Sequence, residues 1–188
     1  MKIPIEISGR HLHLSQKDLN KLFGKNYKLK KLRSLSQIGE FAAKEIVMAI
    51  TSKASLKLRV LGPTRQQTQI EISKTDSLKL GIKASVRLSG DLKKSAGIKL
   101  IGSVGEVKLK QGVIIAQRHI HLDDQTAKKL RVKNNQIVSV KTQGTRGIIF
   151  NNTIIRINPK FKSAMHIDTD EANAAGIDKK SKGEIMLA

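Results

Sequence analysis

The 188-residue chain has no cysteine, so disulfides and thiolate zinc sites are excluded and any metal must be held by histidine, aspartate or glutamate. Aromatic residues are scarce at 3%: four Phe, one Tyr and no Trp. Stacking platforms for single-stranded nucleic acid are therefore few. The core must be built from Ile, Val and Leu, which favours β-structure. No apolar run approaches the ~20 residues that span a bilayer. The first eight residues read as a strand, without the positive and long apolar regions of a signal peptide. The expectation is a cytoplasmic protein with no membrane partner. Acidic residues are also few: 15 Asp plus Glu stand against 36 Lys plus Arg, a net charge of +21. The basic residues are scattered rather than blocked. Such a charge suits a lysine-rich background, polyanionic substrates or nucleic acid, and it cannot choose among them.

What is present is five histidines in a marked arrangement. Four of them form two copies of one motif, Arg10-His11-Leu12-His13-Leu14 and Arg118-His119-Ile120-His121-Leu122. The fifth, His166, lies in Met165-His166-Ile167-Asp168. Aligning the two motifs folds the chain onto itself. Leu22 then matches Leu130, and Lys25-Asn26 matches Lys133-Asn134. Each motif runs into a polar residue, Ser15 or Asp123, suited to cap a short helix, over residues 16–23 and 124–130. Further on, Glu71 stands ten residues before Gly81-Ile82, as His166 stands ten before Gly176-Ile177. Glu71 and His166 are thus equivalent positions.

The rest reads as short strands between turn residues, over 3–8, 42–50, 55–61, 68–73, 97–101, 106–109, 112–116, 136–140, 147–150, 153–157 and 165–168. This spacing predicts a mainly β protein made of two small β-barrel halves related by an internal repeat, with short helices and the active site at their junction. The halves are expected at 1–90 and 91–188, with strands free to exchange between them. Residues 73–112 have no counterpart of similar length and read as an insertion or linker.

In a strand, residues i and i+2 share a face, so each His-x-His pair can grip one cation. A third ligand from another strand leaves the fourth tetrahedral position open, the pattern of a catalytic zinc. The candidate ligand sets are His11, His13 and Glu71, and His119, His121 and His166. Zinc is the default for such donors, with cobalt, nickel and iron as alternatives. Arg65 follows the Gly62-Pro63 turn, six residues before Glu71, and suits a bidentate clamp on phosphate or carboxylate. Arg10 and Arg118 could bind anions or pair with carboxylates. Asp168 could hold an imidazole in one tautomer.

At this point the residues resemble a family. Residues 5–14, Leu35-Ser36-Gln37 with Gly39-Glu40-Phe41-Ala42-Ala43, and residues 59–73 carry the resemblance. So do Gly90-Asp91-Leu92, residues 112–122, and Met165-His166-Ile167-Asp168-Thr169-Asp170-Glu171-Ala172-Asn173. Together they look like the PduL-type phosphotransacylases, also called phosphate propanoyltransferases, over nearly the whole chain. The resemblance implies two β-barrels around a two-zinc active site that interconverts acyl-CoA and inorganic phosphate with acyl phosphate and coenzyme A. It implies metal ligands at the six positions just named, and phosphate binding at Arg65. It implies coenzyme A contacts at Ser8, Arg33, Arg59, Leu61 and Asn173. Arg33 departs from the lysine usual in the family but keeps its charge. Many relatives carry an N-terminal tail that targets a microcompartment, whereas here Lys2-Ile3-Pro4-Ile5 begins the core directly. A free cytoplasmic enzyme is therefore expected, with acetyl-CoA favoured over propanoyl-CoA as substrate.

Two other classes use parts of the same pattern. A metal-dependent thioester or phosphoester hydrolase would keep the ligands and attack with water. A basic nucleic-acid-binding module would explain the charge but not the histidines. A homodimer is compatible with the sequence.

Overall fold

The computed structural model describes residues 1–187. The chain runs β1 (Lys2–Ser8), β2 (His11–Ser15), α1 (Gln16–Phe23), β3 (Lys31–Ser34), β4 (Phe41–Ile50), β5 (Ser55–Arg65) and β6 (Gln69–Glu71). Then come α2 (Lys74–Leu80), β7 (Ser85–Arg87), β8 (Ala96–Ile101), β9 (Glu106–Ala116), β10 (His119–Leu122) and α3 (Asp124–Leu130). It closes with β11 (Ile137–Thr142), β12 (Ile149–Ile157), β13 (Ala164–Asp168), α4 (Thr169–Ala175) and β14 (Lys182–Met186). Among the described residues, no helix is long and apolar enough to cross a membrane.

The expected two-barrel, mainly β architecture is what forms. One compact unit is Arg10–Ala116. Its strands close a ring in the order β4-β5-β2-β6-β9-β8, because β8 pairs with both β9 and β4. Strands β3 and β7 extend it beside β4 and β9. The other unit is Met1–Gly9 with Gln117–Ala188. It closes in the order β1-β13-β10-β12-β11-β14, with β14 returning to β1.

The division differs from the one expected at residue 90. Strand β9 leads into the second His-x-His motif yet pairs with β6 and β8, so residues 91–116 belong to the first barrel. Strand β1 leads into the first motif yet pairs with β13 and β14 of the second. The two strands preceding the motifs are thus exchanged. The stretch 73–112 is therefore not a linker: it supplies α2, β7, β8 and part of β9, and Leu100 and Val107 in it are buried in the core.

Each barrel is filled by aliphatic side chains on one face of its strands. In β2, Leu12 and Leu14 are fully buried in a core with Leu58, Val60 and Ile70. In β10, Ile120 and Leu122 pack with Ile3, Val140 and Ile155. Alternation then turns the histidines to the opposite face. Each fully buried Leu or Ile contributes about 2 kcal/mol.

Four times, a strand passes straight into a capped helix. Ser15, Ser73, Asp123 and Asp168 each accept from the backbone N–H three residues on. Helices α1 and α3 have the expected bounds. Helices α2 and α4 follow the third-ligand strands and end on left-handed Gly81 and Gly176, where a Cβ would be strained.

Candidate metal centres

Register across the ladders brings each predicted ligand set together within one unit. His11 of β2 lies opposite Glu71 of antiparallel β6, and His119 of β10 lies opposite His166 of antiparallel β13. Glu71 and His166 therefore occupy equivalent places. In each set of three, one ligand atom from every residue lies within 4.8 Å of the others.

In the first set, Nε2 of His11 is 3.5 Å from Oε2 of Glu71. That is long for a hydrogen bond but close to the edge of a tetrahedron with zinc bonds of 2.0–2.1 Å, about 3.3 Å. The His11 and His13 rings stand edge to face, with centroids 5.4 Å apart. In the second set the centroids are 4.7 Å apart for His119 and His121, 5.1 Å for His119 and His166, and 4.6 Å for His121 and His166.

The donor atoms suit a cation. Nδ1 of His13 and Nδ1 of His121 are buried without a hydrogen-bond partner. Burial first, then the charges of Arg65 and His11, push the His13 imidazole down to about 3. Burial first, then His166, His119 and Arg156, push His121 to about 2. Both rings are thus neutral at physiological pH, the form that ligates metal. Burial works to raise the Glu71 carboxyl. The neighbouring His11 and His13 rings, Arg65 and the Ser89 hydroxyl outweigh it and hold the group below its ordinary range. These donor sets, with no sulfur ligand, fit zinc with an open fourth position.

Neighbouring groups hold these side chains in place. Glu71 Oε1 accepts from Gln69 Nε2 and from Ser89 Oγ, at 3.1 Å for the hydroxyl, which leaves Oε2 toward His11. Gln69 is itself fixed by the Gly90 backbone N–H, at 2.8 Å. Nδ1 of His119 contacts the Gln117 carbonyl at 2.8 Å, so a donated N–H there makes Nε2 the candidate ligand atom. The Phe161 ring stacks on His121 with centroids 3.8 Å apart.

Arg65 joins this network. It donates from Nη1 to Ser89 Oγ at 3.3 Å, and its Nη2 lies 3.6 Å from Glu40 Oε1. The guanidinium thus sits one hydroxyl away from the carboxylate of the first set. Arg10 and Arg118 are committed elsewhere. Arg10 makes a two-pronged pair with buried Asp76, at 2.9 and 2.8 Å. Arg118 Nε lies 2.8 Å from Glu171 Oε1, with its guanidinium over the Phe150 ring. Both acids occupy the third position of the helix after a third-ligand strand. Asp168 does not hold an imidazole as expected: its carboxylate caps α4 in a reciprocal capping box with Glu171.

The expected coenzyme A contacts divide between the units. Arg33, Ala42, Leu61 and His13 form one row across β3, β4, β5 and β2. Arg33 is exposed and Leu61 half-buried. Arg59, beside His11 in register, donates from Nη1 to the carbonyls of Ala43 and Lys44. Ser8 lies on β1 beside Asp168, and Asn173 is exposed on α4.

Sequence reasoning missed Gln69, Ser89, Glu40 and Phe161. Gln69 carried a signal: two residues before Glu71 on a strand, it must share that face. Ser89 and Phe161 come from loops, where no periodicity points.

Comparison with known proteins gives a consistent picture. A family model described as phosphate propanoyltransferase matches residues 4–178. The phosphate propanoyltransferase of Clostridioides difficile (strain 630) is 46% identical over 185 residues, 98% of this chain and 88% of the relative. That of Salmonella typhimurium (strain LT2) is 47% identical over 178 residues, covering 94% and 84%. That of Thermotoga maritima is 46% identical over 175 residues, covering 92% and 83%.

Proposed function

Since the chain belongs to the phosphate propanoyltransferase family and is an acyltransferase, we propose that it exchanges coenzyme A for inorganic phosphate on a short acyl group, acetyl or propanoyl, with two bound zinc ions. His11, His13 and Glu71 hold one ion, and His119, His121 and His166 hold the other. The observation that supports the reading most is the chain of contacts from Arg65 through Ser89 to Glu71, which sets a guanidinium beside the carboxylate of the first cluster.

Arg65 binds the attacking phosphate through its forked donors. Ser89 and Glu40 fix the guanidinium, so little orientation is left to arrange in the transition state. The guanidinium also offsets repulsion between phosphate and the polyanionic coenzyme, which the +21 surface attracts. Zinc held by His11, His13 and Glu71 and by His119, His121 and His166 would supply Lewis-acid chemistry toward the thioester carbonyl and an affinity for sulfur. Arg33, Arg59, Leu61, Ser8 and Asn173 contact coenzyme A.

Phosphate attacks the acyl carbon directly. The new C–O bond forms as the C–S bond breaks, giving acyl phosphate and the coenzyme A thiolate. The chain has no cysteine, and the Ser89 hydroxyl is committed to Glu71 while accepting from Arg65 and Gln69. Neither offers a nucleophile for an acyl-enzyme, which favours direct attack by phosphate.

The test is to follow thiol release from acetyl-CoA and propanoyl-CoA with and without phosphate, trapping acyl phosphate with hydroxylamine. Phosphate-dependent release with trapped acyl phosphate is expected. Release of free acid at the same rate without phosphate would replace the reading with a hydrolase.

A further inference from the structure

The two candidate centres differ in charge. The set His11, His13 and Glu71 contains a carboxylate, and the set His119, His121 and His166 contains none. A dication held by three neutral imidazoles keeps its full charge unless a carboxylate stands close behind a ligand.

Such a carboxylate exists on the neighbouring strand. Glu6 of β1 lies beside His166 of β13 in register, and Glu6 Oε2 is 3.7 Å from His166 Nδ1. The opposite ring nitrogen, Nε2, is buried. The equivalent place in the other barrel is Ile114 of β9, beside Glu71 of β6. There the third ligand is itself a carboxylate with no ring N–H to satisfy, and the neighbour is a fully buried aliphatic. Where the third ligand is a histidine, the neighbour is an acid. The exchange of β1 and β9 between barrels puts Glu6 in this position, although it lies closer in sequence to His11.

We propose that Glu6 is a positioning residue for the all-histidine centre: its carboxylate faces the Nδ1 side of the His166 ring, accepts the Nδ1–H hydrogen bond once an ion sits at Nε2, and supplies the negative charge that Glu71 supplies in the other centre. This rests on the two-metal reading above. At 3.7 Å the two groups stand at ion-pair distance, and a cation at Nε2 would make the Nδ1 proton more acidic and draw the carboxylate onto it. The side chain of Glu6 is 33% exposed, so it touches the ring without closing the site.

The test uses Glu6→Ala and Glu6→Gln, each measured for zinc affinity by chelator competition, for the absorption spectrum of the cobalt form, and for urea stability without metal. In Glu6→Ala, one of the two ions should bind 10–100-fold more weakly, within the range for lost supporting partners. It should be the ion that His121→Ala removes, not the one that His13→Ala removes. The cobalt spectrum should change at that centre alone, while metal-free stability stays near wild type. Glu6→Gln keeps the acceptor and the volume but not the charge, and should lose several-fold. It serves if the alanine variant fails to fold. Both variants holding both ions with wild-type affinity would overturn the proposal while leaving the two-metal reading intact. Wild-type protein that binds no zinc would overturn both.

Discussion

His11 and Glu71 are cross-strand partners whose Nε2 and Oε2 atoms stand 3.5 Å apart, a spacing that two ligands of one zinc ion would also have. Glu71→Ala should therefore remove one of the two ions and leave the other bound, with activity falling at least 100-fold. Metal analysis beside the thiol-release assay checks both parts. Full retention of both ions would show that Glu71 is not a ligand.

Arg65 touches Ser89 and Glu40 but is not itself a donor to a metal. Arg65→Ala should keep both ions and lose about 10²–10³-fold in kcat/KM for phosphate, the scale of removing one preorganised charge donor. Arg65→Lys should recover part of this through charge alone, without the fork. Near wild-type kinetics in the alanine variant would remove Arg65 from phosphate binding.

Asp76 is buried, and Arg10 is its two-pronged partner. Arg10→Ala leaves a buried carboxylate uncompensated and should cost roughly 2–3 kcal/mol, reduced from the full cost for a buried pair because Arg10 is half exposed. Replacing both partners together, Arg10→Leu with Asp76→Leu, should cost less than the single change. Urea titration of the three variants measures it.

Burial raises the Glu171 carboxyl above its ordinary value, and Arg118 works against that rise. The folded state thus holds this proton more tightly than the unfolded chain. The group favours folding below its folded-state value, and that contribution is lost as pH rises through the window above the usual carboxylate range. Arg118→Ala removes the opposing charge and widens the window. Its cost in unfolding free energy should be larger at pH 7 than at pH 4. An equal cost at both would mean that Arg118 acts through its packing on Phe150 instead.

Much of both centres was legible in the residues because the chemistry is local. His-x-His on a strand must share a face, and a repeat that sets Glu71 where the other half has His166 picks out the residue that completes each cluster. The helices after Ser15 and Asp123 were legible for the same reason, since cap and helix are contiguous. What escaped depends on pairing between distant segments. Strands β8 and β9 read as an insertion because their counterparts in the other barrel, β14 and β1, lie at opposite ends of the chain. The same exchange hid Glu6 from His166. Asp168 invited a role beside an imidazole, yet a carboxylate just before the first turn of a helix is better placed as a cap, and that local demand won. Ser89 reaches Glu71 from a loop after a three-residue strand, which no pattern in the chain announces.

The most direct test counts zinc and measures phosphate-dependent thiol release from acetyl-CoA on one preparation, before chelation, after it, and after zinc is restored. Two three-ligand centres predict about two zinc ions per chain, loss of metal and activity together on chelation, and return of both with zinc. Full activity in protein stripped of metal would contradict the account.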